Sequence, residues 1–284
     1  MLPTQSLDHL ILFVPVDPNT SLPKLRPFFE KNFTLTPGGF HADGATSNTL
    51  ILLADGCYIE LISFIDPSKA PSHWWGPDAN FTGWKDWCLT NSKSPEESNA
   101  GIQETHSQPI HGGRKRADGV DVKWAVTFPK GEKGGQDVRG SMPFFCHDIT
   151  KRNVRVPLSA EKTEHPCGAL GVRELTIIFN DSALLEATKV AYASILGDAV
   201  STDDAGVQFQ VGRVCEVGGL DSGASIVLRA AKDANDAQAT KNTGFRFGDV
   251  ILSAKASGEN EARGSRVRLD KGGVDLGGLW MEYI

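Results

Sequence analysis

Residues 7–33 read LDHLILFVPVDPNTSLPKLRPFFEKNF, and residues 172–196 read VRELTIIFNDSALLEATKVAYASIL. In the first stretch His9 to Val14 is a short apolar run of strand length, and Asp17-Pro18-Asn19 turns the chain. Leu22, Leu25, Phe28, Phe29 and Phe33 then fall at helical spacing. Pro27 inside that spacing predicts a kink or a late helix start. The second stretch repeats the order. Leu175–Phe179 is the strand, Asp181 or Ser182 the cap, and Leu184, Leu185, Ala191, Tyr192 and Ile195 the helix's apolar residues, with Gly197 at the place of a C-terminal cap. Further strand-like segments follow each stretch. In the first, Thr49–Leu53 and Cys57–Phe64 flank Ala54-Asp55-Gly56, a hairpin signal. One such unit cannot cover its own sheet, whereas two packed together form a hollow that can take a ligand.

The expected fold is therefore α+β: paired β-α-β-β-β modules forming a cupped mixed sheet, with a helical insertion and a small C-terminal β extension. The expected boundaries are 1–65 for the first module, 66–120 for the insertion, 121–242 for the second module with two leading strands, and 243–284 for the extension. The insertion is rich in Pro, Ser, Asn, Gly and Trp, with helices expected near Phe81–Leu89 and Glu96–Thr105. It is too long for a plain connection and could act as a lid.

A net charge of −6 over 284 residues, with no basic stripe, argues against nucleic acid and anionic membranes as partners. No apolar run is long enough to span a bilayer, and the N-terminus lacks a basic leader. The five cysteines are scattered, odd in number and without C-x-x-C spacing, which points to a reduced, cytoplasmic setting and against a zinc knot. The partner expected is a small molecule, with homodimerisation left open.

Glu60 stands in the apolar run Tyr58-Ile59-Glu60-Leu61-Ile62, and a carboxylate inside a strand must find a partner. Aligning the two units puts His9 opposite Glu174. These three side chains could pair with one another or ligate one divalent ion, and imidazole with carboxylates suits Zn, Fe, Mn or Ni better than Ca. The alternative is a hydrogen-bonded His9 and a salt-bridged or solvent-facing Glu60. His41, Thr46 and Asn48 lie in or beside a loop of small residues that lets a ligand approach closely, or that is only a tight surface turn. His147 closes a strand beside Asp148, but neighbours on a strand point to opposite faces. No nucleophile elbow, P-loop or dinucleotide fingerprint occurs.

Several ordered pieces resemble the glyoxalase-like domain family of the vicinal-oxygen-chelate superfamily. They are Asp8-His9; Pro37-Gly38-Gly39-Phe40-His41 with Gly44, Thr46 and Asn48; Tyr58-Ile59-Glu60-Leu61; and Gly113-Arg114, Asp118-Gly119-Val120, Trp124 and Pro143-Phe144-Phe145. The resemblance implies a cup between modules and a divalent metal held by first-strand and last-strand residues, here His9 and Glu60. It places Glu174 at the first-strand position of the second unit and Glu174 or Glu60 as a base, with His41 or His147 as a further ligand or acid–base group, and Asn48, Thr46 and Trp124 against substrate. The position matching Glu60 in the second unit, near Val227, is apolar, so the metal could be absent. The implied activity is that of a lyase, isomerase or dioxygenase on a small oxygenated molecule. The alternatives are a protein that only sequesters a ligand and a metal-free acid–base enzyme. Trp74, Trp75 and Trp84 could wall the ligand in, or simply be core.

Overall fold

Strand β1 (Ser6–Phe13) is buried along nearly its whole length because it has a neighbour on each edge and a core on each face. The structure, a computed structural model, describes residues 4–116, 118–132, 134–256, 262–271 and 276–284. After β1 the chain forms α1 (Pro27–Asn32), β2 (Thr36–His41), β3 (Thr46–Leu52) and β4 (Tyr58–Phe64). Pro27 sits in the first turn of α1, where its missing N–H costs nothing, so the helix starts late. β4 returns parallel to β1, with β3 and β2 added antiparallel in turn.

The next span repeats this plan: β5 (Gly83–Thr90), α2 (Pro95–Ala100), β6 (Ile110–Lys115), β7 (Asp121–Thr127) and β8 (Phe144–Asp148). β8 is parallel to β5, and β7 and β6 follow antiparallel. β1 pairs with β5 and β2 with β6, closing eight strands into a barrel. Closure leaves neither module with an open edge.

Two short helices, α3 (Arg152–Arg155) and α4 (Ala160–Thr163), lead to a third copy of the plan: β9 (Ala169–Phe179), α5 (Ser182–Leu196), β10 (Ser201–Asp203), β11 (Gly206–Gln210) and β12 (Ser225–Ala230). After α6 (Ala234–Thr240) come β13 (Phe245–Ala254), β14 (Arg266–Arg268) and β15 (Leu279–Tyr283). These strands form a second sheet in the order β10-β11-β12-β9-β13-β15-β14. Its apolar face packs on the barrel through one continuous core containing Leu10, Leu12, Ile59, Leu61 and Trp87 of the barrel and Leu175, Ile177, Ile226 and Leu252 of the sheet.

The cup of paired modules is present, but its second half is residues 83–148 rather than the unit beginning near 172. The repeat at 172–196 is real and builds the outer sheet instead. The span 66–120 supplies two barrel strands, and 83–90 is a strand where a helix was expected. The ladder between β1 and β5 skips Asp8 and Lys85, so each is a bulge. The bulge at Lys85 turns Trp84 and Trp87 toward the same outer core, and that spacing of three imitates a helix. The expected extension begins within the outer sheet, and residues 257–261 and 272–275 lie outside the described residues.

The predicted Asp55-Gly56 hairpin turn joins the two layers. Asp55 accepts from the backbone N–H groups of Cys57 (2.9 Å) and Val172 (3.0 Å). A Cβ on Gly171 would lie 2.3 Å from Asp55 Oδ2. Gly171→Ala is expected to destabilise the chain by about 1–3 kcal/mol through overpacking. Urea unfolding checks this, and an unchanged midpoint would remove Asp55 as the joint.

Candidate functional site

The barrel interior is lined by the inward-facing residues of its strands. His9, Ile11 and Phe13 come from β1, and Glu60, Ile62 and Phe64 from β4. An inner chamber of about 50 Å³ is bounded by His9, His41, Asn48, Tyr58, Glu60 and Arg114, with Trp75, Trp124, Phe144 and Cys146 around them. It shares His41, Trp75, Trp124 and Phe144 with a vestibule of about 420 Å³ that also includes Trp74, Thr46 and Phe128.

Glu60 stands between two imidazoles. Its carboxylate lies 3.7 Å from His9 Nε2 and 3.5 Å from His41 Nε2, and accepts from Asn48 Nδ2 at 2.6 Å. The other nitrogen of each ring is also engaged. His9 Nδ1 donates to Asp8 Oδ1 at 2.5 Å, and His41 Nδ1 hydrogen-bonds Thr46 Oγ1 at 2.6 Å. Among the described residues no lysine or arginine lies within ion-pair distance of Glu60, although its residue is only 4% exposed. Burial pushes the His41 imidazole below its usual range, against the pull of Glu60. Asn48 Oδ1 is buried and unpaired. A Cβ on Gly38 would fall 1.8 Å from that oxygen, which is why the sequence needs a small residue there.

Asp8 is fully buried and bound on both sides. Arg155 bridges its two oxygens at 2.8 Å each, and Arg152 adds a bond of 2.6 Å. Burial alone would raise this carboxyl, but the two guanidinium groups hold it well below the carboxylate range. Arg155 also donates to Tyr58 Oη and Asp148, and the His9 ring stacks on Tyr58 at 4.6 Å. Asp8, His9 and Cys88 do lie close enough together to suggest a metal cluster. Asp8 is already committed to two arginines, however, and burial holds the Cys88 thiol protonated. The donors left to face an ion are therefore His9 Nε2, the Glu60 carboxylate and His41 Nε2, the last also 3.4 Å from Asn48 Nδ2. A buried anion flanked by two oriented imidazoles fits a divalent cation.

The barrel brings His9, Glu60, His41, Asn48, Thr46 and Trp124 together, but excludes two expected residues. Glu174 is on β9 in the outer sheet, half-buried, near Thr176 and Arg266, and does not line the chamber. His147 faces out of the barrel because Cys146 before it faces in, and its Nε2 lies 3.3 Å from Asn91 Oδ1. Arg114, Tyr58 and Asp8 belong to the site, and all three stand in the family-like pieces of sequence. Arg155 has no local signal at all. Of the three tryptophans, Trp75 walls the chamber, Trp74 the vestibule, and Trp84 is core.

Trp74 and Trp75 are held by one carboxylate. Asp86 of β5 points into the barrel and accepts from both indole N–H groups, at 2.8 and 3.2 Å. Burial raises its pKa to about 6 against those donors and Arg139. The folded state therefore retains a proton that the unfolded chain has released between about pH 4 and 6. The stability that this proton contributes is complete below that window and lost as pH rises through it. Asp86→Asn is expected to gain stability relative to the parent between pH 4 and 7, by up to about 3 kcal/mol. Parallel stability profiles of the two proteins over that range would exclude Asp86 as the titrating group.

One solved structure agrees with this architecture. No curated protein is detectably similar in sequence. A hypothetical protein from Staphylococcus aureus shares the fold over 99% of this chain and 100% of its own, with a TM-score of 0.65 and 14% identity. A fusion of a xylose isomerase-like TIM barrel with a 4-hydroxyphenylpyruvate dioxygenase matches 88% of this chain and 37% of its own at a TM-score of 0.49 and 10% identity. BphC, a halotolerant catechol dioxygenase, matches 100% of this chain and 87% of its own at 0.42 and 9% identity. Among the described residues no helix is long and apolar enough to cross a membrane. The sequence profile of the glyoxalase-like domain matches residues 7–196, two modules of barrel and the start of the third, and the chain belongs to that family.

Proposed function

We propose that the barrel is a metal-dependent active site for a small oxygenated molecule, with His9, His41 and Glu60 as the protein ligands. The observation that carries this is the Glu60 carboxylate, buried between two Nε2 atoms with no ammonium or guanidinium partner among the described residues. Two histidines and one carboxylate with open positions suit Fe, Zn, Mn or Ni. The metal, when bound, supplies Lewis-acid stabilisation of oxygens that become negative during reaction.

The chain's own residues do the rest. Asp8 and Thr46 fix the two rings by their Nδ1 atoms, so that Nε2 faces Glu60 in each, and Asn48 holds the carboxylate. Arg114 is buried at the chamber wall, with Nη1 on Gly38 O at 2.6 Å, and adds fixed positive charge near an anionic oxygen. By this measure the chamber holds only a few water-sized groups, so the reacting end of a substrate enters while its body stays in the vestibule. Trp75, Trp124 and Phe144 keep water from that end. Lyase, isomerase and dioxygenase chemistry all fit this arrangement.

A second reading rests on the 2.5 Å Asp8–His9 contact. In it His9, between Asp8 and Glu60, moves a proton without any metal.

Purified chain is expected to hold about one equivalent of divalent metal, measured by plasma mass spectrometry after dialysis. His9→Ala, His41→Ala and Glu60→Gln should abolish retention. Thr46→Val should weaken it by roughly 10–100-fold. Metal-free protein that turns over substrate in the presence of a chelator would reject the metal reading in favour of the proton relay.

A further inference from the structure

Lys85 is the bulged residue of β5, skipped between Trp84 and Asp86 in the ladder with β1. Bulges re-aim side chains, and this one sends Lys85 out of the barrel into a groove of about 820 Å³ between the barrel and the outer sheet. Phe81, Trp84, Phe245, Phe247 and Leu276 supply apolar walls. Arg139 and Arg246 line the same groove, and among the described residues Asp137 is the one carboxylate on its wall. Asp137 is already used, accepting from the backbone of Glu132 at 3.2 Å.

Among the described residues, Lys85 Nζ has no hydrogen bond and no carboxylate within ion-pair distance. It rests over the Phe81 ring at 4.1 Å from the centroid. Arg139 hydrogen-bonds the Trp74 carbonyl and has no ion-pair partner among the described residues. Arg246 reaches Asp236 through one nitrogen at 3.2 Å, while its Nε is buried and unpaired. The groove thus combines apolar walls, a rim of two guanidinium groups, and one amine with no carboxylate within ion-pair distance among the described residues.

We propose that this groove binds small anionic aldehydes or ketones with an apolar body, and that Lys85 captures the carbonyl reversibly as an imine. The free amine adds to the carbonyl carbon to give a carbinolamine. Loss of water then leaves a C=N bond, and hydrolysis reverses the sequence. No oxidant or reductant is required. Arg139 and Arg246 attract the anionic group, and the aromatic walls take the body.

The amine has the character that this step needs. Burial, with Arg139 next in effect, lowers its pKa to about 8, against the pull of Asp78 and Asp86. That makes the free-base fraction near pH 7.5 roughly 200-fold greater than for an ordinary lysine.

The test uses the full chain and pyridoxal 5′-phosphate, an anionic aromatic aldehyde whose imine absorbs in the visible and is fixed by borohydride. One equivalent is expected to add saturably at pH 7.5, with peptide mapping placing it on Lys85. Lys85→Arg, which keeps the charge, should lose the saturable component. Arg139→Met should raise the half-saturation concentration about tenfold while leaving the end point unchanged. In the parent protein, trace labelling with cyanate should mark Lys85 faster than any other lysine, a readout that does not depend on a variant folding. Label spread evenly over surface lysines, or undiminished in Lys85→Arg, would overturn the proposal. His9→Ala should bind the probe normally, so failure of the barrel reading and failure of this one are separable.

Discussion

A carboxylate sealed from water must find its counter-charge within the protein, and Asp8 finds it twice over. Arg155 grips both of its oxygens and Arg152 one of them. The two arginines belong to α3, just beyond the end of β8, whereas Asp8 lies near the start of β1. Arg152 also donates to Gly56 O, in the turn before β4, and Arg155 to Tyr58 Oη on β4 itself. One ion cluster thus ties both halves of the barrel to the turn that touches the outer sheet. Buried ion pairs of this kind contribute little net stability over an apolar replacement. What this one gives is orientation: the same Asp8 oxygen that meets Arg155 holds the His9 ring with its Nε2 toward Glu60.

Closure of the barrel explains the rest of the architecture. Two β-α-β-β-β modules joined at β1–β5 and β2–β6 have no free edge, but the outer face of β1, β4 and β5 remains strongly apolar. The third copy of the module covers that face instead of closing a second barrel. The outer sheet is therefore a structural partner of the barrel, and its own carboxylate Glu174 is spent on Thr176 and Arg266 at the surface.

Much of this was legible in the sequence, and the parts that were not have physical causes. β1, the Asp55-Gly56 hairpin and the helix α5 follow ordinary periodicity and capping, so their types could be read directly. His9 and Glu60 were legible because a charged group in an apolar strand requires a partner. His41 was legible from the small-residue loop, since Gly38 and Gly39 make room for Asn48 and a close backbone. The second barrel module was hidden. Its helix α2 has only six residues, its β5 carries Lys85 and Asp86 in mid-strand, and a bulge sets its tryptophans three apart. The longer unit at 172–196 therefore looked like the natural partner, and Glu174 was carried into the site with it. Arg155 was invisible because its role depends on a carboxylate 147 positions away.

The barrel is symmetric in backbone and asymmetric in chemistry. The first module contributes His9, His41, Asn48 and Glu60 to the chamber. The second contributes Trp124, Val126, Phe144, Cys146 and Arg114. Its inward carboxylate Asp86 is consumed by Trp74 and Trp75, which lie in the connection between modules and close over the chamber and vestibule. Polar groups concentrate on one wall and aromatic rings on the other. Under the proposed function, the oxygenated end of a substrate faces β1–β4 and its apolar body lies along β7, β8 and the two indoles. Asp86 fixes the aromatic wall in place by accepting from both indole N–H groups.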